Sequence, residues 1–167
     1  MKLHLGCGKM YRYGYTNVDI NKDVKVDVRM DFEHIPWPFK DNTFEEVLAY
    51  HVFEHSLNYL GMLEELYRVS KPDALWFVEV PYVTRSIRNL VNPYHHTNFS
   101  EHSFDFFAHL KGSANEHNSI KLEVLLIELV YFPEYRTDIS ARYRLFAQLH
   151  YFNVVEAVKF KLRVHKE

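Results

Sequence analysis

The sequence predicts an α/β fold: a mostly parallel sheet with helices on both faces. Three observations carry the prediction. Short apolar runs of strand length alternate along the chain with segments of helical period. A Gly6-Cys7-Gly8 triplet stands where the first run must end, and Asp19 closes the second run. Open sheets of this kind bind ligands just beyond the carboxyl ends of their strands.

Taken in order, Lys2–Leu5 reads as the first strand, Thr16–Ile20 as the second and Lys25–Val28 as the third. Glu46–His51 is the fourth, entered from the loop IPWPFKDNTF. Leu57–Val69 carries Leu60, Leu63, Leu66 and Tyr67 at helical spacing, and Lys71-Pro72-Asp73 stops it. Ala74–Val80 is the fifth strand, ended by Pro81. Ser100 is a good N-cap for a helix running to Leu110. Ile120–Phe132 reads as one long strand or two strand halves. Ile139–Phe152 is amphipathic and helical, and Lys159–His165 alternates like a terminal strand.

With 167 residues, 47% of them hydrophobic, the chain is long enough for one domain with a real core. Its net charge of -2 leaves no basic field for duplex nucleic acid, so no nucleic-acid partner is expected. Cys7 is the single cysteine, which excludes an internal disulfide and suits a reducing cytoplasm. No stretch has the ~20 apolar residues of a membrane span, and none has a signal-peptide layout.

Glycines after the first strand let the backbone turn with positive φ and approach a ligand closely. Exposed N–H groups in such a turn bind an anionic group. A carboxylate at the end of the second strand can accept hydrogen bonds from both hydroxyls of a ribose. Together they describe a site for a nucleoside-bearing ligand. A dinucleotide fingerprint needs a third glycine opening a helix. Here Tyr11 fills that region, and KMYRYGYT has room for one helical turn at most. A nicotinamide-dependent dehydrogenase is therefore disfavoured, and an anion smaller than a pyrophosphate, such as an amino-acid carboxylate, fits better.

Four ordered stretches resemble one family. They are KLHLGCGKMYRYGYTNVD, VDVRMDFEHIPWPFKDNTFEEVLAYHVFEH, MLEELYRVSKPDALWFVEVPY and NPYHHTNFSEHSF. Each is similar to a motif of the class I S-adenosylmethionine-dependent methyltransferases of the small type-11-like group, and together they run over Lys2–Phe107. The resemblance implies a Rossmann-like three-layer sandwich in a single domain, residues 1–167. Its sheet would have seven strands, the last antiparallel and inserted beside the fifth. Residues 1–82 would form the cofactor-binding half, and residues 83–167 the substrate side with the C-terminal strands. It implies S-adenosylmethionine as cofactor. Gly6, Cys7 and Gly8 would hold its methionine part, Asp19 its ribose and Ile20 its adenine face. Asp31, with Met30 and Phe32, would lie near the adenine amino group. Tyr50 and His51, and with them Glu54, would pass the sulfonium.

Methyl transfer is an in-line displacement, so alignment is the main task. Where a base is needed, histidine suits it near neutral pH. His51, His95 and His96 are the candidates. The acceptor is not readable: a small metabolite, a sugar intermediate or a protein side chain all remain open, and a homo-oligomer is compatible. The helix after the glycine loop is nearly absent, and no helices precede the first strand. Any lid must come from Pro93–Glu116, Phe132–Arg142 or a partner subunit. Asp73 replaces a glycine of the family's turn and can make the same turn.

Two other readings compete. The fold could serve as a catalytically silent binding or assembly module. Alternatively His51-x-x-Glu54-His55 spells the inverted zinc-peptidase motif, which requires both histidines on one helical face. His95 and His96, with His102 nearby, could also meet a metal, but no cysteine or carboxylate obviously completes a set. No metal is assigned.

Overall fold

Seven strands carry the architecture: β1 (Lys2–Leu5), β2 (Thr16–Asp19), β3 (Val28–Arg29), β4 (Phe44–Tyr50), β5 (Ser70–Pro81), β6 (Leu122–Tyr131) and β7 (Val155–Val164). Among the described residues two α-helices accompany them, α1 (Tyr59–Val69) and α2 (Ala141–His150). The structure, a computed structural model, describes residues 1–85, 89–107, 119–137 and 139–166.

The strands form one sheet in the order β3-β2-β1-β4-β5-β7-β6. Strands β1 to β5 pair in parallel, and β7 runs antiparallel between β5 and β6. The inserted antiparallel last strand is as the sequence predicts. Strand order reverses between β1 and β4, and that switch point is where open sheets hold ligands.

Helix α1 forms because Leu63, Leu66 and Val69 fall on one face and are buried, while Asn58 caps its start by accepting the Gly61 N–H at 3.2 Å. Leu60, expected in that stripe, instead faces solvent at 60% exposure, and Met62 packs in its place. The helix lies on a core that includes Leu3, Leu5, Val47, Trp76 and Leu162. Strand β5 follows α1 without a gap. Asp73 takes the left-handed φ of +60° there, so it makes the turn expected of it.

The opposite sheet face has no helix packed on it among the described residues. Residues 10–15 of the β1–β2 connection fold over it instead. Arg12 lies 5.9 Å above the Tyr50 ring, and Tyr15 meets the ring of His4 edge-on. Asn17 pins this loop: its amide donates to the Arg12 carbonyl and its oxygen accepts the Arg12 N–H, both at 2.8 Å. The crossover is thus as short as the sequence suggests, with no helix.

Several boundaries move. β3 is two residues long. β6 is one strand with register shifts at Val124/Leu126 and Val130/Tyr131, which accounts for its two-halves pattern. The predicted helix at Ser100 is absent as far as Phe107. Ser103 Oγ accepts the Ser100 N–H at 2.8 Å, and a 3-10 turn at Asp105–Phe107 buries Phe104 and Phe107. Its remainder to Leu110 lies outside the described residues. Helix α2 is capped by Ser140, but it buries only Ala147. Leu145, Phe146 and Leu149 point to solvent, so its apolar face is not a core face.

Candidate active site

The end of β1 sets the site. Gly6 follows it with a φ of +62°, and Gly8 has a φ of +50°. A Cβ on Gly6 would stand 2.4 Å from Val52 Cγ2. Glycine is required there because the loop passes directly against the segment after β4. Gly8 faces open space. Its N–H donates to Asp19 Oδ2 at 2.7 Å, and Asn21 N–H donates to Asp19 Oδ1 at 2.8 Å. Asp19 therefore ties the glycine loop to the end of β2.

These residues frame an open crevice of about 280 Å³ at the switch point. Leu5, Gly6, Val18 and Asp19 form its floor, and Ile20, Met30 and Phe32 line one side. His51, Val52 and His55 form the other. Among the described residues that line it, Phe32 is the one Phe, Tyr or Trp, and it stands at the side. Ile20 is 56% exposed, an apolar side chain left on the crevice rim.

A second, larger pocket of about 560 Å³ adjoins the first. It is lined by His51, Glu54, His55, Arg85, Asn92 and His95, among others. His51 and His55 belong to both and mark the boundary.

His51 sits at the carboxyl end of β4 with a left-handed φ of +56°. Its N–H donates to the Glu79 carbonyl at 2.8 Å. Its ring lies between two carboxylates: Nδ1 is 3.2 Å from Glu54 Oε1, and Nε2 is 3.5 Å from Glu79 Oε1. The Glu54 bond, then Glu79, raises its pKa to about 9 against the cost of burial. His51 is thus protonated at neutral pH and enters the site as a donor. A left-handed residue outside glycine costs roughly 1–2 kcal/mol, and such strain persists where surroundings hold it.

The other predicted residues divide. Met30 and Phe32 line the crevice, whereas Asp31 turns to the Glu33 N–H and His34 Nδ1, both at 3.0 Å. Cys7 is buried, its thiol directed at the Gly8 and Lys25 carbonyls, and burial raises its pKa. Its backbone N–H bonds the Val18 carbonyl at 3.0 Å. Tyr50 lies on the opposite sheet face beneath Arg12, away from the crevice. The β4 alternation could have shown this, because Val47 and Ala49 face the core. His95 lines the larger pocket. His96 is exposed and anchors the loop through its N–H to the Glu54 carbonyl at 2.7 Å.

The peptidase reading fails on geometry. Phe53–His55 is a single 3-10 turn, so His51 and His55 share no helical face. Both ring nitrogens of His51 face carboxylates. His102 is paired with Asp105 at 2.9 Å and lines neither pocket. Glu79 and Asn92 were not singled out from sequence. Glu79 reaches His51 through strand pairing, which local pattern does not reveal.

Residues 3–78 match the methyltransferase domain family. No curated protein matches the chain. Among solved structures, a chain of the complex containing the Haloferax volcanii Trm112 methyltransferase activator is similar, with a TM-score of 0.64 and 16% identity. That alignment covers 99% of this chain and 82% of that one. The YcgJ protein of Bacillus subtilis has a TM-score of 0.64 and 15% identity, covering 99% and 92%. A SAM-dependent methyltransferase of Archaeoglobus fulgidus has a TM-score of 0.60 and 17% identity, covering 98% and 85%.

Proposed function

We propose that this chain, whose first half matches the methyltransferase domain family and whose fold is that of the class I S-adenosylmethionine-dependent methyltransferases, transfers a methyl group to an acceptor held in the larger pocket. The observation that carries the reading is the pair of adjoining pockets meeting at His51 and His55. One has the floor a nucleoside needs, and the other is open to a second molecule.

The residues present fit the cofactor. The Gly6–Gly8 turn leaves room beside its backbone, and Asp19 keeps unused acceptor positions on a carboxylate at the crevice floor. Ile20, Met30 and Phe32 offer apolar walls for a purine. S-adenosylmethionine, when bound, supplies a methyl group on a positively charged sulfur. The chain's own task is alignment. His51 and His55 hold the boundary between the pockets. His51, held protonated between Glu54 and Glu79, directs both ring N–H groups at them and is poorly suited to remove a proton at neutral pH. His95 faces the larger pocket from the loop after β5.

The acceptor remains a small molecule, a sugar or a protein side chain. The Haloferax neighbour pairs with an activator protein, and the sheet face without a helix here suits a covering partner or a second copy. No described helix is long and apolar enough to cross a membrane, and the lone buried Cys7 fits a cytoplasmic setting. Calorimetric titration with S-adenosylmethionine tests the reading. Saturable one-to-one binding supports it, and absence of binding at millimolar cofactor leaves only a silent module of the same architecture.

A further inference from the structure

We infer that Glu54, His55 and His95 form a binding site for a divalent transition-metal ion in the wall of the larger pocket. One potential ligand atom from each of the three lies within 4.8 Å of the other two. The residues come from separate segments, the turn after β4 and the loop after β5.

Two independent features mark a prepared site rather than a chance cluster. The first is Glu54. Its side chain is fully buried, Oε1 faces His51, and Oε2 has no hydrogen-bond partner among the described residues. A buried carboxylate oxygen left without a partner is destabilising, so its persistence asks for a ligand. The second is the orientation of the two histidines. His55 Nδ1 lies 3.1 Å from the Tyr94 carbonyl, which can only accept. His95 Nδ1 lies 3.2 Å from Asn89 Oδ1. Asn89 is itself buried, and its amide donates to Asn98 Oδ1 at 2.7 Å, which fixes its oxygen toward His95. Both Nδ1 atoms thus face oxygen acceptors, an arrangement that directs the ring proton to Nδ1 and leaves Nε2 as the atom for a metal. Metal-binding histidines are oriented in this way by a second layer of oxygen acceptors. The rings meet edge-on at a centroid distance of 4.7 Å.

Two imidazoles and one carboxylate suit zinc, iron(II), cobalt or manganese better than calcium or magnesium. Three protein ligands leave coordination positions open toward the pocket. An acceptor oxygen bound there becomes more acidic. Resting on the methyl-transfer reading, the acceptor class is then a hydroxyl-bearing molecule. Its O–H proton leaves to solvent, and its oxygen forms the new bond to carbon. The methyl–sulfur bond breaks, with its electron pair kept by sulfur.

The test uses tag-free full-length protein stripped with chelator and titrated with Co²⁺ alone, followed by its visible absorption. The wild type should bind one equivalent with nitrogen–oxygen ligand-field bands. Glu54→Gln and His95→Ala should each weaken binding at least about 100-fold, and Asn89→Ala about 10- to 100-fold. His102→Ala should change nothing. Circular dichroism of each variant guards against unfolding, and His95→Ala replaces a half-buried loop residue the core does not need. Absence of stoichiometric Co²⁺ binding, or unchanged affinity in folded His95→Ala, overturns the site. Cofactor titration of the metal-free protein is read separately, so failure of the metal site and failure of the methyl-transfer reading are distinguishable.

Discussion

Asp19→Asn probes the site most directly, because the wild-type carboxylate does two jobs that can be separated. Its oxygens already accept the Gly8 and Asn21 N–H groups at 2.7 and 2.8 Å. A carboxylate has about four acceptor positions, so each oxygen keeps one for a ribose hydroxyl. An amide offers a single oxygen. In either flip its nitrogen meets a backbone N–H, and one of the two loop bonds is lost. A hydrogen bond to a charged group contributes about 1.5–3 kcal/mol, which is roughly 10- to 150-fold in Kd at 1.4 kcal/mol per tenfold. Loss of affinity alone would not separate ribose contact from loop disorder. The assay therefore compares S-adenosylhomocysteine with its 2′,3′-dideoxy analogue by calorimetry, in wild type and variant, as a double-mutant cycle. The wild type should favour the diol by that 10- to 150-fold, and the variant should lose most of the preference. An unchanged ratio would mean that Asp19 only shapes the loop.

Three further outcomes follow from the geometry. The folded pKa of His51 is raised to about 9 from an ordinary 6.5. Its contribution is thus complete below pH 6.5 and disappears as pH climbs through 9. Its side chain is 47% exposed, so after discounting for screening the loss is about 1 kcal/mol; urea unfolding at pH 6 and 9.5 should show that difference against His51→Gln, and coincident profiles would refute it. Gly6→Ala should cost about 1–3 kcal/mol and abolish cofactor binding, from the left-handed φ and the 2.4 Å approach to Val52. Adding Val52→Ala should recover part of the stability, and no recovery would place the strain elsewhere. Ser70→Ala removes the acceptor 2.8 Å from the fully buried Trp76 Nε1 and should destabilise by about 1–3 kcal/mol in denaturant titration, whereas an effect within error would mean that the indole finds another partner.

Much of this was legible because the informative signals are local. Gly6, Gly8 and Asp19 sit at strand ends that alternation alone locates, and the crevice assembles around them. Asp73 was readable because few residues other than glycine tolerate its backbone. The failures have a common cause. His51 was read as a base from its residue type. Its charge is set first by Glu54, three residues on, and then by Glu79, which strand pairing brings from β5. The sequence shows no carboxylate to complete a set with His95 and His96. The fold instead brings His95 to Glu54 and His55, from the turn after β4. Leu145, Phe146 and Leu149 gave α2 an apolar stripe. Period alone cannot say whether a surface exists to receive such a stripe, and none does among the described residues.

The short β1–β2 crossover has a consequence for how the crevice must bind. A helix after the glycine loop would aim its positive N-terminus at an anionic group. Here residues 10–15 are spent instead on covering His4 and Tyr50 on the far sheet face, through Arg12 and Tyr15. Under the proposed cofactor reading, the amino-acid end meets a bare turn rather than a helix N-terminus, and two backbone N–H groups of that turn, Cys7 and Gly8, already serve the Val18 carbonyl and Asp19. Recognition must shift toward the nucleoside. The lining agrees: Leu5, Val18, Ile20, Met30 and Phe32 are apolar, and the anchoring charge at the floor is a carboxylate suited to hydroxyls. The loss of one helix thus changes which half of the ligand holds the other in place.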